Sequence, residues 1–167
     1  KIILLGDTMV GKSSFLSRYF HNKFMEFTMT TIGILDEWKY IKIGSENIKL
    51  TVWDTAGQEK FKSLPKKYYH KADAILLLFD VTSQSSFDNV STWIDDIERN
   101  TTQTEGQTLA IYLIGNKVDL VEDRKISREV AMEKAKLFKL KYFEVSCKLN
   151  LSISEVVSNI IVDAYSK

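Results

Sequence analysis

An α/β fold is predicted: a central six-stranded, mostly parallel sheet with one antiparallel hairpin strand, and helices on both faces. Three observations predict it. The apolar run Ile2-Ile3-Leu4-Leu5 leads through the glycine-bounded loop Gly6 to Ser13 into a helix. Ala74 to Phe79 and Leu109 to Ile114 are continuous apolar runs, as expected of parallel strands covered on both faces. Segments of helical periodicity alternate with these strands, which implies right-handed crossovers and ligands at the C-terminal strand ends.

Each element has its own signal. Lys1 to Leu5 reads as the first strand. Lys12 to His21 reads as a helix, with Phe15, Leu16, Tyr19 and Phe20 on one face. Lys23 to Gly33 is threonine-rich and aperiodic, a loop long enough to suggest function. Trp38 to Ile43 and Ile48 to Trp53 alternate as strands, with Gly44 to Asn47 as a hairpin loop of about four residues. Phe61 to Tyr69 is helical but interrupted by Pro65. Ser86 to Glu98 forms one helix, with Phe87, Val90, Trp93 or Ile94, and Ile97 inward. A polar loop, Asn100 to Gln107, precedes the strand from Leu109. Ser127 opens a helix running to about Lys139 with a loose cap, Tyr142 to Val145 is the last strand, and Ser152 begins the last helix. In that helix Ile153, Val156 or Val157, Ile160 and Ile161 face the core.

The chain has 167 residues, one proline, no repeat and no Pro/Gly/Ser linker, so residues 1–167 are expected to form one domain. A net charge of +1 gives no reason to expect a nucleic acid partner. No apolar run is long enough to span a bilayer. The single cysteine, Cys147, excludes an intrachain disulfide and suits a reducing, cytoplasmic setting. The chain starts at Lys1 and carries no prenylation pattern at Lys167, so it is expected to be a trimmed part of something longer.

The chemistry centres on Gly6-Asp-Thr-Met-Val-Gly-Lys-Ser13, which fits G-x-x-x-x-G-K-[ST]. Gly6 and Gly11 allow backbone conformations that a side chain would obstruct. The loop amides and the helix N-terminus can then surround an anion, Lys12 can reach β- and γ-phosphates, and Ser13 can ligate Mg²⁺. An ordinary tight strand-to-helix turn would give a similar pattern by chance. Asp54 closes an apolar strand, where a carboxylate can serve Mg²⁺; a solvated turn Asp is the alternative. Asn116-Lys-Val-Asp119 also follows a strand. Asp119 can accept from guanine N1–H and the 2-amino group, donors that adenine lacks, while the Lys117 stem can lie along the base. Turn chemistry would equally place Asn and Asp there. Ser146-Cys147-Lys148 leaves a strand with amides that can face the guanine carbonyl, or is simply a strand exit. Thr31 lies in the long loop, where its hydroxyl can join the Mg²⁺ shell when a γ-phosphate draws the loop in; without the other motifs it is a surface threonine.

These motifs, with Thr31-Ile-Gly33, Asp54-Thr-Ala-Gly-Gln58 and Ser146-Cys-Lys148 in that order, resemble the Ras superfamily of small GTPases over the whole chain. Trp53 to Phe61 and Tyr68-Tyr69 are most similar to the Rab family of membrane-trafficking GTPases. The resemblance implies a P-loop NTPase G domain that binds GDP or GTP with Mg²⁺ and slowly hydrolyses GTP. It implies nucleotide contacts from Asp7, Thr8, Met9, Val10, Gly11, Lys12, Ser13 and Ser14. Phe24 would pack against guanine, and Asn116, Lys117, Asp119, Ser146, Cys147 and Lys148 would bind the base. Ser13, Thr31 and, through water, Asp54 would hold Mg²⁺. Gly57 would sense the γ-phosphate through its amide, Gln58 would orient the attacking water, and Lys12 would assist catalysis. Exchange factors, activating proteins and effectors would meet residues 23–38 and 55–70. Attachment to the cytosolic face of an internal membrane would come through a lipidated tail outside this chain.

Departures from the Rab pattern are expected to matter. Met9 stands where a small residue is usual and crowds the phosphate loop. Asp36 replaces the usual Phe, with Trp38 two residues on, and Tyr-Tyr-Arg-Gly-Ala becomes Tyr68-Tyr-His-Lys-Ala72. The 100–107 loop is a few residues longer than typical. The effector surface is therefore expected to diverge. His21 and His70 read as surface or helix-end residues, not catalysts, and Trp53 and Trp93 as core and partner surface. Met9 motivates an alternative, a nucleotide-holding scaffold with little turnover. A P-loop kinase or ATPase is disfavoured by the guanine-type motif and the lack of a lid-type arginine cluster.

Overall fold

The structure, a computed structural model, describes residues 1–26, 34–55, 66–69, 71–101 and 109–165. In chain order the elements are β1 (Ile2–Leu5), α1 (Lys12–His21), β2 (Ile34–Ile43), β3 (Glu46–Thr55), α2 (Lys66–Tyr69) and β4 (Ala74–Asp80). There follow α3 (Gln84–Asp88), α4 (Val90–Asn100), β5 (Ala110–Asn116), α5 (Arg128–Leu137), β6 (Lys141–Glu144) and α6 (Ile153–Tyr165). The six strands form one sheet in the order β2-β3-β1-β4-β5-β6. Among the strands of the described residues, only β2 and β3 pair antiparallel; the remaining pairings are parallel, as the crossover pattern requires.

The sheet separates two apolar layers. Ile2 and Leu4 of β1 join Phe15 and Leu16 of α1 and Val156, Val157 and Ile160 of α6 in one. Ile3 and Leu5 face the opposite way, toward Phe87, Ile94 and Ile97 of α3 and α4 and Ala131 and Ala135 of α5. Side chains alternate across a strand, so a central strand covered on both faces must be apolar at every position. Ile2 to Leu5 and Ala74 to Phe79 meet that demand, each residue being almost wholly buried.

Several boundaries depart from the sequence expectation. The hairpin strands are ten residues each, and the connection shrinks from the expected four residues to Gly44-Ser45. Gly44 takes φ +57°, a left-handed conformation that lets the tight turn close and extends the pairing to Ile43↔Glu46. The expected single helix from Ser86 to Glu98 is two helices broken at Asn89, and the first begins earlier, at Gln84. Ser83 causes the early start, because its side chain accepts from the Ser86 amide at 3.3 Å. Asn100 belongs to the end of α4, not to the polar loop, whose residues 102–107 lie outside the described region. The α5 helix ends at Leu137, short of the expected Lys139, where Lys139 turns to φ +56°. Ser127 does cap that helix, accepting from the Val130 amide at 3.3 Å. The expected helix at 61–69 is described only as Lys66–Tyr69.

Phe79 is fully buried in the second layer, with its ring centroid 5.0 Å from that of Phe87 and 6.3 Å from that of Tyr142. Phe79→Ala should destabilise the fold by about 3–5 kcal/mol through lost burial and the cavity left behind. Urea unfolding should show a lower midpoint with an unchanged slope.

Candidate functional site

Parallel pairing brings the chemistry-bearing residues to one edge. Leu4 pairs with Asp54 of β3, and Asp80 of β4 pairs with Asn116 of β5, so the loops leaving these strands open on the same side. The Gly6 to Ser13 loop follows β1 directly. Gly6 sits at φ +132°, and a Cβ there would lie 2.2 Å from the Leu78 carbonyl oxygen. Gly11 sits at φ +100°, and its Cβ would lie 2.2 Å from Asn116 Nδ2. Both positions therefore require glycine for conformation and for space. Lys12, buried, donates from Nζ to the Gly6 carbonyl at 2.8 Å and the Asp7 carbonyl at 2.7 Å, which pulls the loop around its side chain. Ser13 Oγ donates to Asp54 Oδ2 at 2.5 Å. Asp54 is fully buried at the end of β3. A hydroxyl and a carboxylate in contact beside a phosphate loop are the hard oxygen donors that suit Mg²⁺.

A second group of residues forms at the ends of β5 and β6. Asn116 Nδ2 donates to the Val10 carbonyl at 2.8 Å, and Asn116 Oδ1 accepts from the Cys147 amide at 3.3 Å. One buried amide side chain thus links the phosphate loop to the 146–148 loop. Ser146 Oγ donates to Asp119 Oδ1 at 2.5 Å and accepts from the Leu149 amide at 3.0 Å, fixing the carboxylate. Lys117 sits at φ +69° with its Nζ 2.6 Å from Asp80 Oδ2. Asp80 Oδ1 in turn accepts from the Thr82 amide and hydroxyl. Arg18 of α1 donates to the Cys147 carbonyl at 2.8 Å and the Lys148 carbonyl at 3.0 Å. Behind this group Arg124 forms an ion pair with Glu144, which also accepts from Tyr142 Oη at 2.8 Å. Glu144 holds the Arg124 guanidinium strongly in its charged form.

A cleft of about 280 Å³ joins the two groups. Thr8, Met9, Gly11, Lys12, Ser13 and Ser14 of the phosphate loop and α1 line it, as do Asn116, Lys117, Asp119, Cys147 and Lys148 of the second group and Phe24. Two of the expected loop residues turn elsewhere. Val10 is buried in the first apolar layer, and the Asp7 carboxylate points to α4. The Cys147 amide, expected to meet the base carbonyl, is engaged with Asn116. Thr31, Gly57 and Gln58 lie outside the described residues, as does His70. His21 is an exposed helix-end residue 2.7 Å from Glu37, consistent with its reading as a noncatalytic surface group.

Sequence reading missed Arg18, Asp80 and Thr55. Arg18 is a cation in the last turn of α1, a local role that gives no hint of its partners 129 and 130 residues away. Thr55 lines the cleft while its hydroxyl donates to the Leu4 carbonyl at 2.7 Å. Asp80, at the end of an apolar run like Asp54, carried the same signal that singled out Asp54.

Burial pushes the Cys147 thiol up to about 12, against the opposing influence of the Asn116 side chain. The folded chain should therefore resist an aromatic disulfide reagent near pH 8, because the thiolate is the reactive form. Unfolding in guanidinium should release one reactive thiol per chain. Rapid labelling of the folded chain would contradict this assignment.

Comparison with known proteins agrees with this geometry. The Ras family model matches residues 1–166. Theileria parva Ras-related protein Rab-1 is 39% identical over 161 residues, covering 96% of this chain and 71% of that protein. Schizosaccharomyces pombe GTP-binding protein ypt2 is 41% identical over 155 residues, covering 93% and 76%. Rattus norvegicus Ras-related protein Rab-13 is 35% identical over 167 residues, covering 100% and 80%. With a family match over residues 1–166 and relatives 35–41% identical over most of its length, the chain belongs to the Ras family of small GTPases and is a Rab-like member of it.

Proposed function

We propose that this protein is a guanine-nucleotide switch that holds GDP or GTP with Mg²⁺, hydrolyses GTP slowly and serves vesicle or membrane traffic. The observation that carries this reading is that one cleft is lined both by Lys12 and Ser13 and by Asp119 and Asn116. Asp119 offers a carboxylate that Ser146 holds in place, an acceptor for the two donors on the guanine edge. Lys12 and the loop amides hold the phosphates. Ser13, Thr31 and, through water, Asp54 would hold Mg²⁺, which supplies charge neutralisation between the β- and γ-phosphates. Gly57 and Gln58 are assigned the γ-phosphate contact and the positioning of water. Residues 1–167 act as one domain. Exchange factors, activating proteins and effectors engage residues 23–38 and 55–70. The exposed Leu35, Trp38 and Tyr40 of β2 support a partner surface there. A lipidated tail outside this chain would bring the domain to the cytosolic face of an internal membrane.

Asp119→Asn should reverse the order of GDP and XDP in competition binding. Xanthine presents a carbonyl where guanine has an amino group, and an amide can pair with both of its groups. Each mismatched buried group costs about 1–3 kcal/mol. Unchanged preference for GDP would make Asp119 a turn residue.

No arginine lies between His21 and Thr31, so the stabilising cation must come from a partner, worth about 10³–10⁵ in rate. Single-turnover hydrolysis should be slow in the isolated chain and slower still in Gln58→Leu, with nucleotide affinity retained. Complete absence of turnover in the parent would favour the scaffold reading. Met9 supports that alternative: it takes φ +63°, is 80% exposed and lines the cleft.

A further inference from the structure

Asp7 places a carboxylate inside a loop built to hold anions. On the functional reading above, that loop carries two or three phosphates, and a further negative charge facing them would repel the nucleotide. The two ends of the residue point in opposite directions. Its backbone carbonyl accepts from Lys12 Nζ at 2.7 Å, on the inner side of the loop. Its carboxylate is turned outward, where Oδ1 accepts from Trp93 Nε1 at 2.8 Å and Oδ2 accepts from Asn89 Nδ2 at 2.7 Å.

Both donors belong to the start of α4. Asn89 occupies the N-cap position, yet its side chain makes no capping hydrogen bond. An Asn there ordinarily spends its side chain on the helix amides. Here its amide group is committed to Asp7. Trp93 packs against the second apolar layer, which fixes the direction of its indole N–H. The N-terminal end of α4 adds a favourable field for a carboxylate. Neither residue lines the cleft.

We propose that Asn89 and Trp93 are positioning residues for nucleotide binding. They hold the Asp7 carboxylate against α4, away from the phosphates, and so set how long the loop retains its nucleotide. The inference rests on the nucleotide-binding reading of the cleft.

Release of a fluorescent GDP analogue from the full chain tests it. The pair Asn89→Ala with Trp93→Phe keeps an aromatic ring in place and removes both donors. It should speed release by about tenfold, the scale set by freeing a charged hydrogen-bonded group. The acceleration should shrink as salt is raised, because repulsion between charges is screened. In an Asp7→Asn background, measured against the release rate of Asp7→Asn itself, adding the pair should bring no further acceleration. Should Trp93→Phe fail to fold, Asn89→Ala alone, at an exposed site, carries the same comparison in the two Asp7 backgrounds. Release at the parent rate overturns the clamp. So does an acceleration that persists in the Asp7→Asn background, since it would then come from packing and not from charge. A parent that binds no guanine nucleotide overturns the functional reading and the clamp together; a parent that binds normally while the cycle fails overturns the clamp alone.

Discussion

Three loops of this protein hold one another through the side chain of Asn116. Its Nδ2 donates to the Val10 carbonyl and its Oδ1 accepts from the Cys147 amide. Asn116 is only 2% exposed, so both halves of its amide must be satisfied within the protein. Gly11 makes the arrangement possible, because a Cβ there would occupy the space of Asn116 Nδ2. The phosphate loop, the loop after β5 and the loop after β6 therefore cannot move independently. On the proposed reading, in which a base and a phosphate chain meet different loops, this link would hold the two halves of the site in register.

The parallel sheet supplies the frame on which that link is built. Leu4 and Asp54, and Asp80 and Asn116, are register partners, and so the loops that follow β1, β3, β4 and β5 emerge side by side. The strands stay in register because both faces are covered by apolar layers that leave β1 and β4 fully buried. Around this frame the supporting contacts come from far along the chain. Arg18 of α1 holds the Cys147 and Lys148 carbonyls, and Arg124 braces the segment after Asp119 against β6 through Glu144. Tyr69 of α2 donates to the buried Asp96 of α4 at 2.9 Å, and Trp93 on the same helix reaches Asp7. The helix α4 thus touches both the phosphate loop and the segment where partners are expected.

Two of the expected departures from the Rab pattern lie at the surface of the described residues. One is Met9, a long side chain in a left-handed backbone conformation at the mouth of the cleft. The other is the outer face of the hairpin, where Trp38 packs edge-on against Tyr40 at 5.7 Å and lies under Lys49. Asp36 pairs in register with Trp53, which contacts Tyr68. The outer face of β2 therefore presents an aromatic surface at Trp38 and Tyr40.

Much of this was legible in the residues themselves. Ile2 to Leu5 and Ala74 to Phe79 announced central strands, because a strand buried on both faces has no place for a polar residue. Gly6, Gly11, Lys12 and Ser13 announced the phosphate loop, because the required backbone geometry and chemistry are local. Asp54, Asn116, Asp119 and Cys147 were legible as strand-end residues, since parallel strands deliver their ends to one edge. The hairpin turn, the break at Asn89 and the partners of Arg18, Lys117 and Asp7 were decided only by tertiary structure. Asn89 reads as an ordinary helix residue until its amide is seen on Asp7, 82 residues away. Nothing local to Lys117 tells that its ammonium lies on Asp80. A hydrogen bond between distant residues depends on how the elements pack, and neither periodicity nor local propensity carries that information.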